Sequence, residues 1–156
     1  MGETISVRPF RAGDEAAFRD INIAWIERYF VVEKKDREVL EHPREAIIDK
    51  GGAILMAVDA FGAIGCCALM AMGDGVFELA KMGVTPEAQG RGVGRTLIDA
   101  AIGRARELGA KRLFLETNAI LKPALKLYAD AGFRPVATAT PSPYARADVQ
   151  MELMLD

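Results

Sequence analysis

The sequence predicts one α/β domain in which about four helices flank a mixed sheet of about seven strands. Three observations predict this fold class. Segments typical of strands and helices are interspersed along the chain, as in folds that layer helices on a sheet. Three apolar strands follow one another with only short turns between them, which indicates an antiparallel meander. A helix then separates the third of these strands from a short apolar strand, which is typical of a parallel crossover.

In the first half of the chain we predict a strand, two helices and a hairpin. The predicted elements are residues 4–10, residues 14–30, residues 36–50 and the two apolar runs of AILMAVDAFGAIGCCALMAM (53–72). Apolar residues recur at spacings of three and four in the first helix, whose N-cap we place at Asp14. The second helix is expected to be interrupted near Pro43 and to end at Gly51 and Gly52. The DAFG between the two runs is typical of a hairpin turn.

In the second half we predict the last meander strand, two more helices and a closing hairpin. The predicted elements are VFELAKMGV (76–84), residues 93–108, RLFLET (112–117), residues 122–131 and the closing strand DVQMELML (148–155). The helix over 93–108 carries its apolar residues on one face and stops at Gly109. RLFLET is interpreted as a uniformly apolar strand, buried as parallel strands usually are.

Composition and charge exclude several function classes. The chain is 51% hydrophobic and 27% charged, with a net charge of −2, so nothing favours binding to nucleic acid or to an anionic membrane. Its apolar runs are shorter than the about 20 residues of a membrane span. The first fifteen residues lack the apolar core of a signal peptide. We therefore expect a cytoplasmic protein with no nucleic-acid or membrane partner.

The cysteines and the histidine predict neither a disulfide nor a metal site. Cys66 and Cys67 are adjacent in a strand, where neighbouring side chains point to opposite faces, so we expect two buried thiols. With one histidine and no spaced Cys/His/Asp set, we expect no bound metal. His42 is interpreted as a helix-end residue.

The segment AQGRGVGRTL (88–97) has glycines at every second position, follows a strand and opens a helix. Backbone N–H groups in such a turn bind phosphate groups. A dinucleotide fingerprint is one interpretation, with Glu116 as the ribose-binding carboxylate. Against it, Arg95 stands where the third glycine belongs, TPEAQ separates the strand from the first glycine, and a meander precedes the loop. A triphosphate P-loop is disfavoured because no Gly-Lys-Ser/Thr follows.

The third interpretation is coenzyme A. VTPEAQGRGVGRTL resembles the Gln/Arg-x-x-Gly-x-Gly/Ala motif of the GNAT superfamily of N-acetyltransferases, matched by Gln89, Gly92 and Gly94. KLYADAGF (126–133) is similar to the family's Leu-Tyr-x-x-x-Gly-Phe signature, and the resemblance spans nearly the whole chain. It implies the single-domain GNAT fold and acetyl transfer from acetyl-CoA to a primary amine. The implied acceptor is a small-molecule amine or amino-acid-like molecule. A weakly catalytic acyl-CoA-binding regulatory domain and a protein N-terminal or lysine acetyltransferase stay open as alternatives.

The resemblance also implies which residues bind the cofactor. The strand end would pair with the pantetheine arm, and backbone N–H groups of the glycine loop would bind the pyrophosphate. The implied residues are Met82, Gly83, Val84, Gln89, Gly90, Arg91, Gly92, Val93, Gly94, Arg95 and Asn118. The two arginines either add positive charge or are simply solvated. Leu121 stands where many members carry an asparagine, so Asn118 is assigned that contact from the end of the preceding strand.

Two residues are predicted to catalyse the transfer. Glu78 is the candidate base for the acceptor amine, because an ammonium is no nucleophile. Alternation along its strand predicts that Glu78 shares a face with Met82 and Val84. Glu116 is a weaker alternative base. Tyr128 matches the family tyrosine beside the sulfur, which implies that it protonates the leaving thiolate.

Residues near both ends of the chain are predicted to contact the acceptor. The helix over 14–30 has more apolar residues than one face needs, so the surplus is interpreted as an acceptor groove, as core packing or as a homodimer surface. The groove candidates are Trp25, Glu27, Tyr29 and Phe30. In PSPYARAD (141–148), Tyr144 and Arg146 are candidates, and Arg146 is expected to pair with a substrate carboxylate.

Overall fold

The computed structural model describes residues 4–136 and 142–155, so residues 1–3 of the N-terminal segment and Pro141 of PSPYARAD lie outside the described residues. Within these ranges the strands are β1 (Ser6–Pro9), β2 (Ala53–Asp59), β3 (Gly62–Gly73), β4 (Val76–Val84), β5 (Arg112–Thr117), β6 (Arg134–Pro135) and β7 (Val149–Met154). The α-helices are α1 (Glu15–Tyr29), α2 (Lys34–Leu40), α3 (Val93–Glu107) and α4 (Lys122–Asp130). A π-helical turn covers Arg44–Ile48 and a 3₁₀ turn covers Pro86–Ala88. The predicted mixed α/β architecture is confirmed.

The strands form one sheet in the order β1-β2-β3-β4-β5-β7-β6. Strands β1 to β4 pair antiparallel, so the predicted meander is confirmed. Helix α3 is the crossover that returns the chain to β5, which runs parallel to β4. Strand β7 then lies between β5 and β6 and pairs antiparallel with both. The predicted break in the second helix is also confirmed, because α2 ends at Leu40 and the π-helical turn begins after Pro43.

Helices cover the two faces of the sheet and bury a separate cluster on each. We call the cluster under α3 the α3-side cluster; its members include Leu55, Cys67, Leu69, Leu97, Leu113 and Leu115. The α1-side cluster includes Phe18, Ile21, Ile26, Ile54, Cys66 and Ala68. The adjacent thiols Cys66 and Cys67 therefore lie on opposite faces, as predicted, and both are free and buried. Among the described residues, no helix has the length and apolar character that crossing a membrane requires.

Asp14 is the N-cap residue of α1, as predicted, and its backbone carbonyl accepts from the N–H of Phe18. Its carboxylate makes no cap bond, because it accepts hydrogen bonds from the Arg8 guanidinium and from the backbone N–H of Arg11. The prediction for β5 is wrong. Strand β5 is not uniformly buried. Its leucines belong to the α3-side cluster, while Arg112, Phe114 and Glu116 lie half-buried on the other face.

A β-bulge in β4 changes which side chains share a face. Ala80 pairs with Ala68 and Gly83 pairs with Cys66, so two residues of β4 lie opposite one residue of β3. The extra residue is accommodated by Lys81, whose φ of 52° is left-handed. The predicted alternation across this point is therefore wrong. Glu78 pairs with Met70 on the α1 side, whereas Met82 and Val84 pack on the α3 side.

Strands β4 and β5 pair only at their beginnings. The parallel ladder joins Val76 to Arg112, Phe77 to Leu113 and Glu78 to Phe114. Beyond Glu78, the edge of β4 that faces β5 has no pairing with β5. The two strands therefore separate and open a cleft in the middle of the sheet.

Candidate active site

A cavity of about 920 Å³ lies where β4 and β5 separate. It brings together the carboxyl end of β4, the start of α3, helix α4, the aromatic end of α1 and the segment 143–147. The predicted site residues that line it are Trp25, Tyr29, Phe30, Glu78, Met82, Gly83, Val84, Gln89, Gly90, Gly92, Val93, Gly94, Arg95, Glu116, Asn118, Tyr128, Tyr144 and Arg146. Two candidates lie elsewhere. Glu27 is exposed outside the cavity, and the Arg91 guanidinium donates to Asp59 at 3.2 Å beside a separate, smaller pocket.

The glycine loop leads into α3 through two left-handed residues. Gly90 has a φ of 83° and Gly92, the N-cap of α3, has a φ of 78°. Gly94 serves a different purpose, because a Cβ there would lie 2.9 Å from Leu127 Cδ2 on α4. The first N–H groups of a 15-residue helix have no partner within the helix and carry its positive dipole end. The loop therefore places backbone N–H groups that could hold an anion at one end of the cavity.

Helix α1 packs directly on the carboxyl end of β4. A Cβ on Gly83 would lie 2.7 Å from Trp25 Cδ1, so glycine is what permits this contact. The Trp25 indole is held in place because its Nε1 donates to Asn22 Oδ1 at 3.1 Å. Asn22 is itself buried and donates to the backbone carbonyl of Phe18. The aromatic wall of the cavity is thus fixed against the strand edge.

Glu78 is half-buried on the cavity wall and its pKa is raised to about 7. Burial is the largest cause, the negative charge of Glu116 adds to it, and the positive charge of Lys81 partly offsets both. The Glu116 carboxylate accepts a hydrogen bond from Gln150 Nε2 at 3.2 Å. A carboxylate with a pKa near neutrality is suited to take a proton from an ammonium group.

Tyr128 lies on α4 at the opposite wall. Its ring packs edge-on against Phe133, with 6.1 Å between the ring centroids. Burial raises the pKa of its hydroxyl to about 12, so the hydroxyl keeps its proton at neutral pH. It is therefore available as a proton donor.

A buried ion-pair network borders the cavity, and its central residue, Asp36, was not predicted from the sequence. The Asp36 carboxylate accepts hydrogen bonds from Lys81 Nζ at 3.0 Å and from both terminal nitrogens of Arg146 at 2.6 and 2.8 Å. Burial opposes its ionisation, but these bonds and the backbone N–H of Glu33 outweigh burial and lower its pKa to about 2. Lys81 also donates to Tyr144 Oη at 3.0 Å.

The network engages the two candidate residues near the C-terminus. Arg146 faces Asp36 in a bidentate pair and also approaches Glu33 at 3.4 Å. Arg146 was expected to pair with a carboxylate of the substrate, but in the structure it pairs with carboxylates of the protein itself. The cationic groups of Lys81 and Arg146 both lie near the Tyr144 ring, 4.4 and 4.7 Å from its centroid. Asn118 donates to the backbone carbonyl of Arg146, so it anchors the same segment.

Two sequence signals point to this network. Glu33-x-x-Asp36 has the spacing of a capping box, and the reciprocal side-chain bonds are present at the start of α2. Lys81 occupies a buried position in a strand that otherwise alternates regularly, and a buried lysine requires a partner. Among the described residues, no group of three or more His, Cys, Asp and Glu side chains is arranged to hold a metal ion.

Comparison with known proteins identifies a family whose model matches most of the chain. Residues 14–133 match the model of the Acetyltransferase (GNAT) family. Over 148 residues the chain is 32% identical to a mycothiol acetyltransferase from Pseudarthrobacter chlorophenolicus, and the alignment covers 85% of this chain and 43% of that protein. The chain spans between 20% and 52% of the length of the curated relatives that it matches.

Two solved structures share the fold. An acetyltransferase of the GNAT family from Staphylococcus aureus Mu50 superposes with a TM-score of 0.88 at 16% identity, covering 98% of this chain and 100% of that one. The protein yncA from Salmonella typhimurium, solved with its cofactor acetyl-CoA, gives a TM-score of 0.78 at 22% identity, covering 97% and 94%. The predicted fold is confirmed by these likenesses.

Proposed function

Because the chain belongs to the acetyltransferase (GNAT) family, we propose that it transfers an acetyl group from acetyl-CoA to a primary amine by direct attack. One observation carries the proposal. A single cavity joins a glycine-rich helix start, an unpaired strand edge, a carboxylate with a raised pKa and a protonated tyrosine. We further propose that the chain acts as one acetyltransferase domain, since both clusters pack on the same sheet.

The residues of the cavity fit coenzyme A at two places. Backbone N–H groups at Gly92, Val93 and Gly94 would bind the pyrophosphate, aided by the dipole of α3. The open edge of β4 near Met82 and Gly83 would hydrogen-bond the pantetheine arm as a neighbouring strand would. The protein yncA, which has a similar fold, was solved with its cofactor acetyl-CoA, and this supports acetyl-CoA as the ligand. Acetyl-CoA supplies the acetyl group activated as a thioester.

Glu78 and Tyr128 would carry the proton transfers. Glu78, directly or through a water, takes the proton that the acceptor ammonium must lose before it attacks. The amine nitrogen then forms the new C–N bond to the acetyl carbon as the C–S bond breaks. Tyr128 gives its proton to the leaving thiolate and recovers one from the nitrogen of the new amide. One proton per turnover leaves the site through Glu78.

The acceptor would bind on the α1 side of the sheet, against Trp25, Tyr29, Phe30 and Tyr144. We propose a small-molecule amine or an amino-acid-like molecule. The similarity to a mycothiol acetyltransferase supports a small-molecule acceptor. The cavity is about 920 Å³, within the range of small-ligand sites, and it must also hold the acetyl end of the cofactor.

Two measurements test the proposed function. Acetyl-CoA is expected to raise the melting temperature of the protein, whereas NAD is not, because the loop lacks the dinucleotide spacing. Thiol release from acetyl-CoA is then followed with a panel of amines, and at least one amine is expected to accelerate it. Stabilisation by acetyl-CoA without acetylation of any amine would instead favour an acyl-CoA-binding regulatory domain.

A further inference from the structure

The cationic side chains deep in the acceptor side of the cavity are already neutralised by carboxylates of the protein. Lys81 and Arg146 share the buried Asp36 carboxylate, and Arg146 also lies 3.4 Å from the Glu33 carboxylate, so two anions balance the two cations. The side chains of Lys81 and Arg146 are only 5% and 13% exposed. Arg112, on the β5 wall, pairs with Glu152 at 2.8 Å. A ligand carboxylate placed here would compete with these intramolecular pairs, which are preorganised and partly desolvated.

Two carboxylates in the same region have no cationic partner within hydrogen-bonding distance. Glu78 and Glu116 line the cavity from adjacent strands, and neither forms an ion pair with a described residue. Among the residues that the structure describes, the Glu116 carboxylate accepts a hydrogen bond only from the neutral amide of Gln150. Above about pH 7, where Glu78 is mostly ionised, a ligand carboxylate would be repelled by both carboxylates, whereas an ammonium group would be attracted to them.

Lys35 differs from the other cations on this side of the cavity because it has no carboxylate partner among the described residues. It lines the cavity from α2, but it is exposed at the rim, and it forms no ion pair with a described residue. An exposed ammonium is well solvated and gives only a weak, salt-screened attraction to an anion.

The walls around these carboxylates are largely apolar. Trp25, Tyr29 and Phe30 come from α1, Met70 and Met72 from β3, and Phe114 from β5. Aromatic faces also attract ammonium groups, because the ring quadrupole is negative at the face. The cavity therefore combines an apolar lining with unneutralised negative charge.

From these contacts we infer that the acceptor is a primary amine on an apolar body with no carboxylate beside the amine, such as an arylalkylamine or a branched alkylamine, and that it is not an α-amino acid. This inference rests on the proposed acetyl transfer and narrows its acceptor. The amine enters as an ammonium attracted to Glu78 and Glu116, and the apolar body packs on the α1 aromatics. A carboxylate beside the amine would be buried without a free cation.

The test compares acceptors that differ only at the carboxylate. Initial rates are measured at one pH for phenylalanine, its methyl ester and 2-phenylethylamine, and for leucine and 3-methylbutylamine, each corrected for the fraction of the ammonium form, which is the form proposed to bind. We expect kcat/KM to be at least about tenfold higher for the amines and for the ester than for the amino acids. Equal or higher kcat/KM for the amino acids would overturn the inference.

Two neighbouring lysines of α2 provide a matched pair of variants. Lys34 and Lys35 are both exposed, but only Lys35 lines the cavity. The quantity compared is kcat/KM for 2-phenylethylamine divided by kcat/KM for phenylalanine. We expect this ratio to be the same in Lys35→Met as in Lys34→Met. If Lys35→Met alone lowers kcat/KM for phenylalanine selectively, Lys35 binds a substrate carboxylate and the inference is wrong.

A binding measurement separates this inference from the proposed function. The melting temperature of the protein with coenzyme A is measured with 2-phenylethylamine or with phenylalanine added. If the amine stabilises this complex and the amino acid does not, while neither is acetylated, the inference stands and acetyl transfer to these amines is excluded. If neither is acetylated and neither stabilises the complex, both the inference and the proposed acceptor site fail.

Discussion

Lys81 Nζ lies 3.0 Å from a carboxylate oxygen of Asp36, although Asp36 is on α2 and Lys81 is the bulge residue of β4. The side chains are 5% and 0% exposed. The same carboxylate oxygen accepts Arg146 Nη2 at 2.6 Å, so one anion joins the helix, the bulged strand and the segment before β7. These three segments form one side of the cavity, which links the stability of the network to the shape of the site.

Replacing Asp36 with asparagine is expected to destabilise the protein strongly. The change leaves Lys81 and Arg146 buried with no anion within hydrogen-bonding distance except the more distant Glu33, and breaking a buried pair in this way costs about 3–5 kcal/mol. The free energy of unfolding from urea denaturation at pH 7 measures this. Asp130→Asn is the control, because Asp130 pairs with Lys126 on the exposed face of α4 and should cost about 0.5 kcal/mol or less. A loss for Asp36→Asn no larger than that of the control would contradict the prediction.

The same carboxylate predicts a particular dependence of stability on pH. The folded-state pKa of Asp36 is lowered to about 2, below its unfolded value of about 3.9. Its contribution to stability is therefore complete above about pH 4 and is lost as the pH falls toward 2. Between about pH 5 and 7, Asp36 is ionised in both the folded and the unfolded wild-type protein. We therefore expect the difference in unfolding free energy between the wild type and Asp36→Asn to be constant there and to shrink below about pH 4. A difference that persists undiminished at about pH 2.5 would show that the effect is not electrostatic.

The β-bulge explains why the sequence predicted the fold better than the site. Hydrophobic periodicity is a property of short segments and can be recognised in the sequence, so it predicts the meander, the crossover helix and their buried faces. A bulge inserts one residue into a strand and reverses the alternation beyond it, and a lysine with positive φ gives little local warning of this. Glu78 and Met82 were therefore assigned to one face although they lie on two. The capping-box spacing of Glu33 and Asp36 and the lysine within β4 are local signals, but local patterns do not show that Asp36 pairs with Lys81 and Arg146, which are far away in the chain.

Replacing Glu78 with glutamine is expected to lower kcat/KM for the acceptor by roughly 10²–10⁴-fold, because the amide cannot take the ammonium proton. The wild-type kcat/KM should rise with pH through about 7, since the active form of Glu78 is ionised and its pKa is raised to about 7. The limb with a pKa of about 7 is expected to disappear in Glu78→Gln, and any rise that remains should follow deprotonation of the acceptor amine itself. The measurement is the pH profile of initial rates at subsaturating acceptor. An unchanged profile in Glu78→Gln would exclude Glu78 as the base.

Glu116→Gln separates the two candidate bases. The negative charge of Glu116 helps to raise the pKa of Glu78, so removing that charge should move the acidic limb of the profile to lower pH. At pH values above this limb, Glu116→Gln should retain substantial activity. If Glu116→Gln instead abolishes this limb while Glu78→Gln retains it, Glu116 is the base.

Replacing Gly92 with leucine is expected to raise KM for acetyl-CoA at least about tenfold, because a side chain in the loop holds the pyrophosphate away from the backbone N–H groups. Gly109→Leu is a closely matched control. Gly92 and Gly109 flank opposite ends of α3, with φ values of 78° and 82° and open space where a Cβ would be added. Both variants therefore carry similar backbone strain, and melting temperatures check that they do. An equal rise in KM in both variants would mean that strain, and not the anion site, is responsible.

Replacing Tyr128 with phenylalanine is expected to lower kcat more than it weakens acetyl-CoA binding. The ring and its edge-on contact with Phe133 are retained, so only the hydroxyl is lost. A thiolate is a fair leaving group even without a proton, because thiol pKa values are near 8.5, so the loss should be at the low end for general-acid catalysis, roughly 10²-fold. Steady-state kinetics gives kcat, and calorimetry or thermal shift gives the affinity for acetyl-CoA. The pKa of about 12 also predicts that ionisation of Tyr128 does not limit the wild-type rate at neutral pH. An unaltered kcat in Tyr128→Phe, with intact folding, would remove the proton-donor role and leave the thiolate to depart unassisted.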